Sequence, residues 1–139
     1  MLGLIGIRKK VDIKIRERLS ITLSRQSKAI DELKKIYEEV VIISTCNRTE
    51  IYLSGCLGSE SEIRRIFEVL DWDISLKEYT FYLGGIDVAK HLLEVVCGFH
   101  SKILGEDQIL GQVKSAYELS LKHKAIQSKL LRLFEDAIS

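Results

Sequence analysis

The spacing of apolar residues changes several times along the chain, and each change marks an element. Leu2–Ile7 (LGLIGI) is a short apolar run compatible with a buried strand. From Lys14 to Tyr37 apolar residues recur at helical spacing (Ile15, Leu19, Ile30, Leu33, Ile36), which predicts helix over 14–37 with Ser24 or Ser27 as N-cap. Val40–Ser44 (VVIIS) is a β-branched run, typical of a buried strand. Thr49–Leu53 alternates, with Ile51 and Leu53 on one face and Tyr52 on the other. The three residues Cys46-Asn47-Arg48 between these strands leave room only for a tight connection. A helix over 61–70 and a strand over 79–83 follow.

This order, β-α-β-β-α-β, predicts an α+β fold of the ferredoxin-like sandwich type. Three further helical stretches are expected after it, over 86–96, 106–122 and from 125 onward. At about 100° per residue, Val88, Ala89, Leu92, Leu93, Val95 and Val96 share one side of the first, with His91 on its border. In the second, Ile109, Leu110, Val113, Ala116, Tyr117 and Leu121 form the expected core stripe, and Asp107, Lys114, Glu118 and Lys122 the charged side. A third strip holds Gly105, Gln108, Gln112 and Ser115, neutral polar groups beside the core. Such a strip serves either helix–helix hydrogen bonding or a polar ligand. The last segment, QSKLLRLFEDAIS, is amphipathic and has no terminal cap or stop. It predicts a helix whose apolar side, over 127–139, is left exposed to fray or self-associate. On this reading the sequence is the N-terminal piece of a longer protein, divided into a domain over 1–122 and the start of a linker helix over 123–139.

Composition narrows the classes. The 139 residues are 46% hydrophobic and 29% charged, enough apolar material for a core. Lys and Arg total 21 against 20 Asp and Glu, a net charge of +1, which excludes a polybasic nucleic-acid coat or membrane anchor. No apolar run approaches the roughly 18 residues of a membrane span, and the charged start is unlike a signal peptide, so a cytoplasmic protein is expected. The three cysteines (Cys46, Cys56, Cys97) and three histidines (His91, His100, His123) lack metal-ligand spacing, and no metal is expected.

The candidate chemistry lies in Ser44–Tyr52, STCNRTEIY. A cysteine in a tight turn at the end of a buried strand is rigidly held and can face a cleft. A guanidinium two residues on, at Arg48, favours the nucleophilic thiolate, or grips a carboxylate with its two-pronged donor geometry. A buried structural cysteine beside a surface arginine fits the spacing as well.

Ser44–Tyr52 resembles the signature of glutamyl-tRNA reductase, and so does a second block. That block runs from His91 through Leu-Leu-Glu-Val-Val-Cys-Gly-Phe-His to Ser101, then Lys-Ile-Leu-Gly-Glu-Asp-Gln-Ile-Leu-Gly to Gln112. The resemblance covers almost the whole chain and implies the catalytic N-terminal domain of that enzyme. The family reduces glutamyl-tRNA to glutamate-1-semialdehyde, opening the five-carbon route to tetrapyrroles. The resemblance implies Cys46 as nucleophile, forming a glutamyl thioester, and His91 as a residue needed for activity, as acid–base or orienting group. It implies Thr45, Asn47 and Arg48 as a glutamate-binding segment, with Arg48 on the side-chain carboxylate. Ser101, Glu106, Asp107, Gln108 and Gln112 match the second substrate-binding block. NADPH as cofactor, a homodimer in the full-length protein, and glutamate-1-semialdehyde aminomutase as a partner are also implied.

The chain departs from the family pattern in three places. Asp107 stands where proline is usual, His100 where aspartate is usual, and Gly6-Ile7-Arg8-Lys9-Lys10 replaces a His-Lys-Thr-Ala-Pro-like turn. His100 and His123 have no family counterpart and are expected at the surface. No glycine-rich dinucleotide fingerprint follows a strand, so the NADPH and dimerisation domains are expected outside this chain. Two other classes compete with the enzyme: a non-catalytic ferredoxin-like module binding a small ligand or tRNA, and a thiol esterase or peptidase, which lacks a second histidine or asparagine in triad pattern.

Overall fold

The computed structural model describes residues 1–98 and 109–139. Four strands, β1 (Leu2–Ile7), β2 (Glu39–Ser44), β3 (Thr49–Ser54) and β4 (Thr80–Gly84), form one sheet in the order β2-β3-β1-β4, every neighbouring pair antiparallel. The helices are α1 (Ile13–Arg18), α2 (Leu23–Leu33), α3 (Glu60–Leu70), α4 (Ile86–Val96), α5 (Ile109–Lys122) and α6 (Lys129–Ile138), with a 3₁₀ turn at Ile74–Tyr79. The α+β class expected from the periodicity is the class observed.

Helices cover both faces of the sheet, which explains why β2 reads as an unbroken apolar run. On one face α2 and α3 bury Ile30, Leu33, Ile66 and Phe67 against Ile5, Ile42, Ile51 and Leu53. On the other, α4, α5 and α6 bury Val88, Leu92, Val113, Leu130 and Phe134 against Leu4, Val41, Ile43 and Tyr52. Each completely buried side chain of this size contributes about 1.5–3 kcal/mol.

Four expectations need correction. The single helix over 14–37 is two: α1 ends at Arg18, Leu19 and Ile21 turn into the core, and α2 restarts behind the N-cap Thr22. Helical spacing carried across the break because Leu19 and Ile30 lie eleven residues apart, close to three full turns, and so share a phase. In the later helices Leu93, Leu110 and Leu121, expected inside, are 45%, 43% and 42% exposed. In α5 the inward row is Ile109, Val113, Ala116 and Ser120. Ser120 is drawn in because its hydroxyl donates to the Val40 carbonyl of edge strand β2 at 2.8 Å.

The third correction concerns 127–139. Its apolar side is not exposed: Leu130 and Phe134 are completely buried, and the Phe134 ring meets Tyr52 edge-on at 5.3 Å. The helix start has no side-chain cap of its own. Glu39, completely buried in β2, supplies one from a distance, accepting from the backbone N–H groups of Gln127, Ser128, Leu130 and Leu131. Burial by itself raises the Glu39 pKa, but those backbone donors outweigh it and hold the carboxyl below its ordinary value. His123 is likewise not simply a surface group: its Nδ1 lies 2.9 Å from Asp31, and it ties the α5–α6 turn to α2.

Candidate functional site

Strands β2 and β3 pair from Glu39–Ser54 down to Ser44–Thr49, so residues 45–48 are the hairpin connection. Its shape comes from Thr45. The Thr45 N–H donates to the Arg48 carbonyl at 2.8 Å, and the Thr45 hydroxyl oxygen accepts from the N–H groups of Asn47 (3.2 Å) and Arg48 (3.1 Å). A threonine can satisfy a turn in this way where a plain aliphatic side chain cannot. Cys46 is left exposed at the tip, while Thr45, Asn47 and Arg48 are half-buried.

Arg48 turns inward. Its Nη1 lies 3.3 Å from Glu50 Oε2, with the two side chains 12% and 3% exposed. The same oxygen lies 2.6 Å from His91 Nε2 on α4, and the other carboxylate oxygen accepts the Tyr52 hydroxyl at 2.8 Å. Burial raises the Glu50 pKa, but His91, Arg48 and Tyr52 outweigh it and keep the carboxyl below its ordinary value. Tyr52, buried and beside that carboxylate, is pushed well above the ordinary phenol value. An ionised carboxylate only accepts, so the hydrogen between His91 and Glu50 belongs to Nε2. Phe81 packs on the His91 ring, centroids 5.6 Å apart. Gly6, paired with both Glu50 and Phe81, leaves space for that ring: a Cβ there would come within 2.5 Å of it.

On the other side of the turn lies a cleft of about 720 Å³ between the start of α2, the end of β2 and α5. Ser44, Thr45, Gln26, Gln112 and Ser115 supply its neutral polar groups, and Glu118 and Lys122 its charged ones. Ser44 is fixed there by accepting the Ile21 N–H at 3.1 Å. The neutral strip of α5 therefore faces a cavity through Gln112 and Ser115.

The structure thus gathers Arg48 and His91 on Glu50, and Thr45 and Gln112 on the cleft, with Cys46 exposed in the turn between. Ser101, Glu106, Asp107 and Gln108 lie outside the described residues, as does His100. Sequence reasoning passed over Glu50 and Tyr52. Their signal was present: Glu50 and Tyr52 share one face of β3, and a carboxylate directly before the apolar run IYL needs a buried partner. Cys97 is exposed like Cys46, whereas Cys56 is buried and its thiol pKa is raised, chiefly by that burial. Among the described residues no group of histidine, cysteine or carboxylate side chains could hold a metal, and no helix is long and apolar enough to cross a membrane.

Residues 5–139 match the family model described as glutamyl-tRNA(Glu) reductase, N-terminal domain. The chain is 50% identical over 139 residues to a glutamyl-tRNA reductase of Clostridium beijerinckii, and 48% identical over 142 residues to one of Clostridium perfringens. Each alignment covers 100% of this chain and 35% of the relative, so the chain spans about a third of the length of the curated relatives it matches. Among solved structures, the glutamyl-tRNA reductase from Methanopyrus kandleri superposes with a TM-score of 0.77 at 24% identity, covering 99% of this chain and 32% of that one. That likeness shows a shared fold.

Proposed function

Since the chain belongs to the glutamyl-tRNA reductase N-terminal domain family, we propose that residues 1–139 carry out the acyl-transfer half of that reaction. The Cys46 thiolate attacks the carbonyl of the glutamyl ester. The bond from that carbon to the ribose oxygen breaks, the tRNA leaves with a proton on that oxygen, and the glutamyl group stays on sulfur as a thioester. A thioester is a better electrophile than the ester it replaces, which prepares the carbon for reduction. Arg48 receives the substrate's side-chain carboxylate, Thr45 and Asn47 hold the turn against the substrate, and Gln112 faces it from the cleft. Ser101, Glu106, Asp107 and Gln108 belong to the same substrate block in this reading. His91 orients the ester or supplies the proton of the leaving oxygen.

The observation that carries this reading is the tight turn that exposes Cys46, with Arg48 and His91 drawn together by one buried carboxylate beside it. The non-catalytic binding module gives no reason for that convergence.

NADPH is the proposed reductant of the whole protein. The described residues do not fit it: the only Gly-Gly step from strand to helix, Gly84-Gly85, leaves β4, whose neighbour in the sheet is antiparallel. A dinucleotide crevice needs parallel strands flanking such a turn. We place the reductant site and the surface of the proposed homodimer in the remaining length of the protein. Residues 123–139 lead toward that remainder. The same reading takes the sheet order with its α2 and α3 crossovers as the ferredoxin-like split β-α-β. It also makes the protein cytoplasmic, acting in tetrapyrrole (porphyrin) biosynthesis, with glutamate-1-semialdehyde aminomutase as a natural recipient of the labile aldehyde.

The test is to incubate the chain with glutamyl-tRNA and record its intact mass. A glutamyl adduct, absent in Cys46→Ser and appearing with deacylated tRNA, is the expected result. Equal deacylation by Cys46→Ser would remove the thiol from the mechanism.

A further inference from the structure

Tyr52 takes part in none of the steps above, yet it is completely buried and spends its hydroxyl on a charged group. Its position is determined from three sides. In the sheet it stands opposite Leu4 on β1 and Val41 on β2, and its ring meets Phe134 of α6 edge-on at 5.3 Å, an interplanar angle of 85°. A ring held in this way cannot swing, so its hydroxyl is a fixed donor aimed at Glu50 Oε1. Glu50 in turn has one oxygen for Tyr52 and the other for Arg48 and His91.

We propose that Tyr52 is a positioning residue of the acyl-transfer site: by fixing Glu50 Oε1 it sets the carboxylate plane, and through Oε2 the placement of Arg48 and His91. The inference rests on the reading of Arg48 and His91 given above. The logic is that of an orienting carboxylate behind a histidine, with one further link that anchors the carboxylate itself. Without the phenol, a carboxylate held at one oxygen can rotate about its final torsion, a broad and soft one. The contacts that Arg48 and His91 each make to Oε2 then loosen together. The Phe134 contact makes α6 the outer support of this chain of contacts, so the helix that closes one face of the sheet also backs the site.

Tyr52→Phe removes only the hydroxyl and keeps the ring against Phe134, which makes it the informative variant. Acyl transfer to Cys46 is measured as the single-turnover loss of glutamyl-tRNA at saturating concentration, in the full-length protein. The expected result is about a tenfold slower transfer, the loss of one hydrogen bond to a charged group, in a protein still folded at the assay temperature, its melting temperature lowered by about 4–8 °C. A structural role alone would not move the second readout, the proton on His91 Nε2 in the chain with ¹⁵N-labelled histidine, assigned with His91→Gln. That resonance is expected in the wild type. It should exchange about tenfold faster with water in Tyr52→Phe, again by one such bond, and be absent in Glu50→Gln. Wild-type transfer by Tyr52→Phe while Arg48→Lys is inactive overturns the positioning role and leaves the reading of the site standing. Wild-type transfer by both variants overturns that reading, and this inference with it. A His91 proton unaltered in Tyr52→Phe overturns the inference directly.

Discussion

At the residue scale, Arg48 is the most exacting position. Its guanidinium is nearly buried against Glu50, so in the proposed reading it keeps an ion pair while it also binds the substrate's carboxylate. One ammonium cannot serve two carboxylates with fixed planar geometry. Arg48→Lys is expected to lower acyl transfer about a hundredfold, as misplacement of a reacting group does, and near-normal single-turnover rates would contradict the assignment. The cysteines make a second test. Cys46 and Cys97 are exposed and Cys56 is buried with a raised pKa. A thiol-counting reagent on the folded chain should titrate two groups quickly and the third only on unfolding. Both motif cysteine and arginine were legible from STCNRTEIY, but their partner was not. A sequence shows that Glu50 follows Arg48 by two. It does not show that His91, 41 residues later, closes on the same oxygen.

At the element scale, β1 and β2 each owe a feature to a partner remote in sequence. Gly6 sits between Glu50 and Phe81, and a Cβ there would meet the Phe81 ring at 2.5 Å. Gly6→Ala should therefore displace the ring that packs on His91 and cost about 1–3 kcal/mol by overpacking, read as a lower urea midpoint together with a shifted His91 resonance. Glu39 caps α6 from β2, and its folded pKa lies below the ordinary 4.5. A depressed carboxyl contributes stability that is complete above the unfolded value and is lost as pH falls through the folded one. The expectation is that Glu39→Gln costs about 2 kcal/mol at neutral pH, as for hydrogen bonds to a charged group. The difference from wild type should shrink below pH 4.5 and vanish once both forms are neutral. Parallel stability curves for the two proteins across acid pH would show that Glu39 carries no such charge. The split of the expected 14–37 helix belongs to this scale as well. Thr22 is as good an N-cap in sequence as Ser24, but only the burial of Leu19 and Ile21 ends α1 where it does.

At the scale of the whole molecule, α6 is part of the packed body. Phe134 touches Tyr52 on one side and stacks near Tyr117 of α5 on another, at 6.4 Å. Phe134→Ala should cost about 3–5 kcal/mol, as large-to-small changes at closed aromatic sites do, where a frayed terminal helix would lose almost nothing. Hydrogen exchange offers an independent measure: the Leu130 amide, bonded to Glu39, should be as protected as the amides of β2. Fast exchange there would mean that α6 leaves the sheet.

The linear pattern by itself determined the α+β class, the strands and most helices, because period and β-branching are local properties of a segment. It also offered Cys46 and Arg48 as candidates, through the resemblance of their short segment to a family signature, and the neutral strip of α5, since helical phase is arithmetic. Only the tertiary structure decided what those residues meet. Which row of α5 faces inward depends on a hydroxyl bond from Ser120 to an edge strand, which pulls a polar residue in and leaves Leu110 and Leu121 out. Whether the last helix is exposed depends on Glu39 and Tyr52, more than 75 residues away in the chain. Above all, a buried carboxylate is unfavourable until several donors surround it, and those donors come from β3 and α4 at once. That condition is a property of packing in three dimensions. No single stretch of the chain contains it.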